Sequence, residues 1–155
     1  MMIFLTVGLH EQQFNRIVEL VDNCSCDEKL IQYGYSTYKP KNSRAQQFMD
    51  MQEIRDAMEK AEVIVTHGGT GSIINALSLG KKPIVAPRYK RYGEHVDDHQ
   101  DEIVMELSRR GVILSLMDGE DIEDLIKVAL RHKKNIKNHG YREIESILVN
   151  EIENT

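Results

Sequence analysis

A glycine-rich turn that follows an apolar run is the part of the sequence best suited to chemistry. The run Val63–Thr66 leads directly into it, and its residues are His67, Gly68, Gly69, Thr70, Gly71 and Ser72. Glycine permits positive φ and lets a ligand approach the backbone closely. Ser72 is a candidate N-cap or first-turn hydroxyl of the helix that follows, and a helix N-terminus is a natural anion site. The turn therefore predicts a phosphate-binding site, the alternative being a tight turn that binds nothing.

Two common phosphate motifs do not match this turn. A Walker loop would need a lysine after Gly71, and a dinucleotide fingerprint would need a third glycine near Asn75.

A second polar segment, residues 94–100, contains two histidines four residues apart. Its polar members are Glu94, His95, Asp97, Asp98, His99 and Gln100. On a helix, His95 and His99 would be able to bind zinc with an aspartate as third ligand. Zinc peptidases place a glutamate directly after the first histidine, where Val96 stands here. We therefore expect no metal, and we expect the segment to orient a polar ligand or to cap a helix.

Cations and one further histidine lie near the expected strand ends. Arg88, Lys90 and Arg91 follow the run Pro83–Pro87. Arg88 is a candidate for neutralising a diphosphate through a bidentate contact, although a solvated loop explains these cations equally well. His10, just beyond Gly8, is a candidate donor to the same anion or an exposed loop histidine.

The elements that would position these residues alternate along the chain. Strand-like apolar runs at 3–7, 29–33, 63–67, 83–87 and 112–116 are separated by segments with helical periodicity, and residues 35–47 are expected to form a loop. This order predicts an α/β fold with a single Rossmann-like, doubly wound parallel sheet. Because ligands bind at the carboxyl ends of such strands, Gly8, the glycine turn and residues 88–100 should share one edge of the sheet.

Composition and charge narrow the function classes. The chain has 155 residues and a formal net charge of −5, which argues against nucleic-acid binding. It has no 18-residue apolar run and no recognisable signal peptide, and Cys24 and Cys26 are expected to be free thiols in a reducing cytosol.

We expect a domain over residues 1–132 and a basic segment with a terminal helix over 133–155. The terminal helix has an apolar stripe that either packs on the domain of this chain or contacts a partner. The stripe consists of Ile144, Ile147, Leu148 and Ile152.

Four motifs together resemble the nucleotide-sugar-binding domain of glycosyltransferase family 28. They are Phe48–Met51 before a helix, Ala61–Ser72 around the turn, Gly80–Pro83, and the pair His99–Gln100. The phrases at 6–14, 67–72 and 93–100 further resemble single-domain bacterial exopolysaccharide or capsule subunits of the PssE type. These are similar to the small cytosolic subunit of the eukaryotic dolichol-linked UDP-GlcNAc transferase.

The resemblance implies a donor-binding half of a GT-B enzyme. It implies contacts from the backbone of Phe48 and Met49 to uracil, and from Gly69–Ser72 to diphosphate and sugar. Asn75 stands where the family has a ribose-binding glutamate, and asparagine can still hydrogen-bond to a ribose hydroxyl. The remaining candidates for binding the donor are Gly8, His10, His67, Gly68, Arg88, Glu94, His95, His99 and Gln100.

The resulting hypothesis is a UDP-sugar-binding subunit of a split, inverting hexosyltransferase in exopolysaccharide or capsule synthesis. A membrane-anchored partner would bind the lipid-linked acceptor and carry the general base, so the chain would be cytoplasmic and peripheral to the membrane. No cofactor is expected. The rivals are a non-catalytic activator of such a partner and a metal-dependent hydrolase that uses His95 and His99.

Overall fold

Six parallel strands form one sheet in the computed structural model, which describes residues 1–132. The strand order is β3-β2-β1-β4-β5-β6, and every neighbouring pair is parallel. The strands are β1 (Met2–Thr6), β2 (Glu28–Gln32), β3 (Arg44–Gln46), β4 (Val63–His67), β5 (Ile84–Ala86) and β6 (Leu114–Ser115). This topology confirms the predicted doubly wound α/β sheet.

Helices cover both faces of the sheet. They are α1 (Asn15–Asp22), α2 (Met51–Lys60), α3 (Thr70–Ser78), α4 (His99–Arg109) and α5 (Ile122–His132). Successive residues of β1 point to opposite faces, so Ile3 and Leu5 pack against α1 and α5 while Phe4 packs against α2 and α3. Both faces of the central strands are therefore buried, which explains their unbroken apolar runs.

The connection from β2 to β3 has no helix, and a buried carboxylate holds it instead. Asp22 accepts hydrogen bonds from the Tyr38 hydroxyl, the Lys41 and Asn42 N–H groups and the Ser43 hydroxyl. Burial raises the pKa of Asp22, but these hydrogen bonds outweigh burial and the net shift is downward. The segment 35–47, expected to be a loop, thus contains the short strand β3 near its end. The sequence did not indicate this strand, because β3 is an exposed edge without an apolar pattern.

Within residues 1–132, no helix combines the length and the apolar character that crossing a bilayer requires. The predicted basic segment and its apolar stripe, residues 133–155, lie outside the described residues.

Candidate functional site

A cavity of about 540 Å³ opens at the carboxyl ends of β1, β2 and β4. β1 and β4 are neighbours from which the chain leaves to opposite faces of the sheet, so the cavity lies at the switch point of the strand order. Its lining residues are Thr6, Gly8, Leu9, Gln32, Met49, Asp50, Met51, Ile54, His67, Gly69, Gly71, Ser72 and Asn75. The structure therefore brings together most of the candidates expected around the glycine turn.

The N-terminus of α3 forms one wall of this cavity. Gly69 is the N-cap and α3 begins at Thr70, so Ser72 lies in the first turn, which is the second of the two positions expected for it. The first N–H groups of a helix have no intrahelical acceptor and carry the positive end of its dipole. A Cβ atom at Gly71 would meet no heavy atom within 4 Å, so this backbone is open to a ligand. The wall has the properties of an anion site.

The His67 side chain packs beneath the turn and sets its shape. The Gly69 N–H donates to His67 Nδ1 at 3.2 Å, which leaves the ring proton on Nε2, 3.4 Å from the Ser72 hydroxyl oxygen. Burial, followed by the charge of Arg88, lowers the pKa of His67 to about 3. The imidazole is therefore neutral at physiological pH and supports the turn without charge.

The same ring explains why glycines occur on both sides of it. A Cβ atom would lie 2.1 Å from His67 Cε1 if built on Gly69, and 2.4 Å from Nε2 if built on Gly8. Positive φ at the glycine turn was expected, and this expectation was wrong: Gly69 has a φ of −72°, and Gly68 and Gly71 are not among the positive-φ glycines either. Close packing, not backbone conformation, requires the glycine at position 69.

Arg88 is fully buried and differs from the exposed cation that its position after β5 suggested. Its guanidinium donates to the carbonyl oxygens of Val7, Gln12 and Glu94 at 2.7–3.0 Å, and it stacks over the Phe14 ring. Burial lowers its pKa to about 10, so the group keeps its charge at neutral pH. The expected contact with a diphosphate needs correction, since the guanidinium is fully buried and its two terminal nitrogens bind carbonyls of the loops after β1 and β5.

Glu94 and Gln100 are also buried supports. The Glu94 carboxylate pairs with Arg16 at 3.0 Å and accepts from the Tyr89 N–H. Gln100 Oε1 accepts from the N–H groups of Gly68 and Arg88, at 3.1 and 3.0 Å. Gln100 thereby joins the glycine turn after β4 to the segment after β5. Through these contacts, Glu94 and Gln100 position the backbone of the site.

The three candidate histidines outside the turn occupy different environments. The rings of His10 and His95 stack, with centroids 4.5 Å apart and an angle of 17° between the ring planes. His99 is more than half exposed. The zinc alternative required His95 and His99 to share a helix, and they do not, because α4 begins at His99 and His95 precedes it in a loop.

Among residues 1–132, no three histidine, cysteine or carboxylate side chains converge as metal ligands would. The arrangement of His95 and His99 therefore gives the hydrolase hypothesis no support.

Residues near α2 complete the site. Met49 is half-buried and lines the cavity, whereas Phe48 is exposed and packs edge-on against Tyr35. Asp50 and Glu53 form a capping box that fixes the start of α2 beside the cavity. Asn75 lines the cavity from the second turn of α3. Sequence reasoning missed six lining residues, although strand-end and helix-start positions were the available signal: Thr6, Leu9, Gln32, Asp50, Met51 and Ile54.

Fold and cavity together define a doubly wound α/β domain with a ligand site at the switch point of its sheet. Comparison with known proteins identifies its family. A family model described as "Glycosyltransferase family 28 C-terminal domain" matches residues 2–148. The chain therefore belongs to this family, and it is a glycosyltransferase subunit.

Individual relatives agree with this assignment. The chain is 27% identical over 150 residues to the UDP-N-acetylglucosamine transferase subunit ALG13 of Yarrowia lipolytica, covering 86% of this chain and 74% of that protein. Its fold matches the kitacinnamycin glycosyltransferase (TM-score 0.56, 19% identity, 99% of this chain) and the calicheamicin glycosyltransferase CalG4 (TM-score 0.58, 16% identity, 97% of this chain). The chain spans only 39% and 38% of the lengths of those two structures.

Replacing Arg88 by methionine should destabilise the fold. The change keeps a long side chain but leaves the carbonyls of Val7, Gln12 and Glu94 without their donor, and each unsatisfied buried group costs about 1–3 kcal/mol. We expect urea denaturation to show a loss of at least about 2 kcal/mol. Lys90→Met, an exposed position in the same loop, is the control and should change little. Unchanged stability with a selective loss of diphosphate affinity would contradict the buried role.

The free energy of unfolding should fall as the pH is lowered below 6.5, in part because of His67. The unfolded chain takes up a proton near that ordinary pKa, whereas the folded chain resists protonation until about pH 3, so acid favours unfolding over this interval. His67→Asn, which keeps an acceptor near the Gly69 N–H, should flatten the slope in chemical denaturation across this interval. The exposed His99→Asn control should retain it. Equal slopes in His67→Asn and the wild type would show that His67 is not buried in the neutral form.

Proposed function

We propose that this chain is the UDP-sugar-binding subunit of a split, inverting glycosyltransferase that transfers a hexose to a lipid-linked acceptor in exopolysaccharide or capsule synthesis. The observation that carries the proposal is the open N-terminus of α3 in the cavity at the switch point, within a chain of this family. Backbone N–H groups and a helix dipole are suited to the diphosphate of a nucleotide sugar.

The cavity offers a distinct place for each part of the donor. The diphosphate binds at Gly69–Ser72, where the unsubstituted Gly71 backbone is open. Uracil and ribose bind along the start of α2, near the backbone of Phe48 and Met49 and against the apolar wall of Met51 and Ile54. Asn75, one turn further along α3, is placed for a hydrogen bond to a ribose hydroxyl.

The chemical contribution of the chain is to stabilise the leaving group. Negative charge accumulates on the diphosphate as its bond to the sugar breaks, and preorganised N–H donors stabilise that charge without reorganising. The neutral His67 ring and the Gln100 amide hold the turn in this arrangement. Both groups act on the backbone of the turn and not on the ligand.

A second protein supplies the acceptor side in this proposal. The described residues form one sheet domain, and the Yarrowia relative is named as a subunit of a transferase. We propose a membrane-anchored partner that binds the lipid-linked acceptor, so that the chain works at the cytoplasmic face of the membrane. The competing hypothesis is a non-catalytic activator that stabilises a partner already holding both substrates.

Two measurements test the proposal in sequence. Calorimetric titration of the purified chain with UDP and with uridine should show binding of both, with UDP the tighter ligand. Labelled UDP-hexoses, mixed with membranes from a strain that lacks the chain, should then yield labelled lipid only when the chain is added. Transfer without UDP binding by the chain would favour the activator, and full transfer by the chain alone would refute the split enzyme.

Replacing Gly71 by valine should weaken UDP binding at least about tenfold, the equivalent of one charge-assisted contact. A side chain at this position projects into empty space, so it blocks the phosphate without striking the protein. Calorimetry should show a much smaller loss for uridine, which has no phosphate. Gln52→Val is the matched control, because Gln52 occupies the second position of α2 as Gly71 does in α3. If Gly71→Val kept the wild-type affinity for UDP, the phosphate would not bind at this helix end.

A further inference from the structure

We propose that His10 of this chain, and not a residue of the partner, accepts the proton of the acceptor hydroxyl during sugar transfer. This inference rests on the proposed function and adds a catalytic residue to it. It also changes the role expected for His10, from a donor to the diphosphate to a base beside the sugar.

The hydrogen bonds around His10 fix which ring nitrogen is free. Gln12 donates through Nε2 to the Gly93 carbonyl, so its Oε1 faces the His10 ring and accepts from His10 Nε2 at 2.8 Å. The proton of a neutral His10 is therefore on Nε2. Among the described residues, Gln12 is the only hydrogen-bond partner of this ring, so Nδ1 keeps an unshared electron pair. A ring oriented by an acceptor on one nitrogen, with the other nitrogen free, has the form of a general base.

The stack with His95 holds the His10 ring in place. The two rings are nearly parallel at 4.5 Å, and His95 is in turn 3.2 Å from the Asp97 carboxylate. Burial and then the neighbouring His10 lower the pKa of His95. Arg88 is close enough to His95 to lower its pKa as well, and its guanidinium is held by carbonyls of both loops. The ring is thus fixed by packing from the loop after β5 and by a hydrogen bond from its own loop.

The position of His10 suits the sugar and not the nucleoside. The loop after β1 lines the cavity with Gly8 and Leu9 and then carries His10 to the stack. A donor with its base against α2 and its diphosphate on α3 directs the sugar away from α2, toward this loop. His10 and His95 are also near enough to His67, under the diphosphate site, to influence its pKa.

The proposed step balances without another reactant. The acceptor hydroxyl gives its proton to His10 Nδ1 while its oxygen forms a bond to the anomeric carbon. The bond from that carbon to the β-phosphate oxygen breaks, and its electron pair leaves with UDP. The imidazolium then releases the proton to water. The products are the glycosylated lipid, UDP and one proton.

The membrane assay described above tests this proposal with two variants. His10→Ala removes the ring, and His10→Phe keeps a ring to stack on His95 but has no nitrogen. Both should lower kcat at least about 100-fold, because general bases typically contribute 10²–10⁴-fold. Both should keep the wild-type affinity for UDP in calorimetry. The acid limb of the pH–rate profile should disappear, and added imidazole should partly restore His10→Ala.

The control is the exposed neighbouring residue Glu11, whose Glu11→Gln variant should keep the wild-type kcat. Nitrogen NMR of the isolated chain provides a readout besides activity, and it should show the His10 proton on Nε2. A proton on Nδ1, a kcat within threefold of wild type, or a loss of UDP affinity that accounts for the whole defect would each overturn the proposal. Failure of the wild-type chain to bind UDP would instead refute the proposed function.

Discussion

The buried guanidinium of Arg88 is the interaction on which the site depends. It donates to the Val7 and Gln12 carbonyls after β1 and to the Glu94 carbonyl after β5, so a single charge joins two loops on either side of β4. Gln100 extends this connection to the glycine turn through Gly68. Burying a charge is costly unless it is hydrogen-bonded, and here backbone carbonyls accept from both terminal nitrogens, while Nε has no partner among the described residues. The geometry of all three strand ends is therefore set together.

Sequence periodicity predicted the fold because the physical signal was strong. The central strands are buried on both faces and read as apolar runs, while the helices have one apolar face each. β3 gave no such signal, since all three of its residues are exposed and the loop before it is held by Asp22. Polar contacts between residues about 20 positions apart leave no period in a sequence. The short edge strand was consequently expected to be loop.

The site was predicted in outline and corrected in its polar details. Glycines and strand ends indicate where a cavity lies, and Gly8, His67, Gly69, Gly71 and Asn75 do line one cavity, while their contact with a ligand stays a prediction. The roles of Arg88, Glu94 and Gln100 depend on which groups they meet after folding, and composition does not report burial. An arginine that follows a strand has the same appearance in a sequence whether it faces a ligand or three carbonyls.

The enclosure of Arg88 has a kinetic consequence for any anion that enters the cavity. Among the described residues, no lysine or arginine lines it, and the nearby His67 is uncharged. Attraction then comes from peptide dipoles, which act over a few ångströms, instead of from a net charge that acts across a Debye length. Encounter with an anion should therefore depend little on ionic strength, and a bound anion would leave without having to break an ion pair with these lining residues.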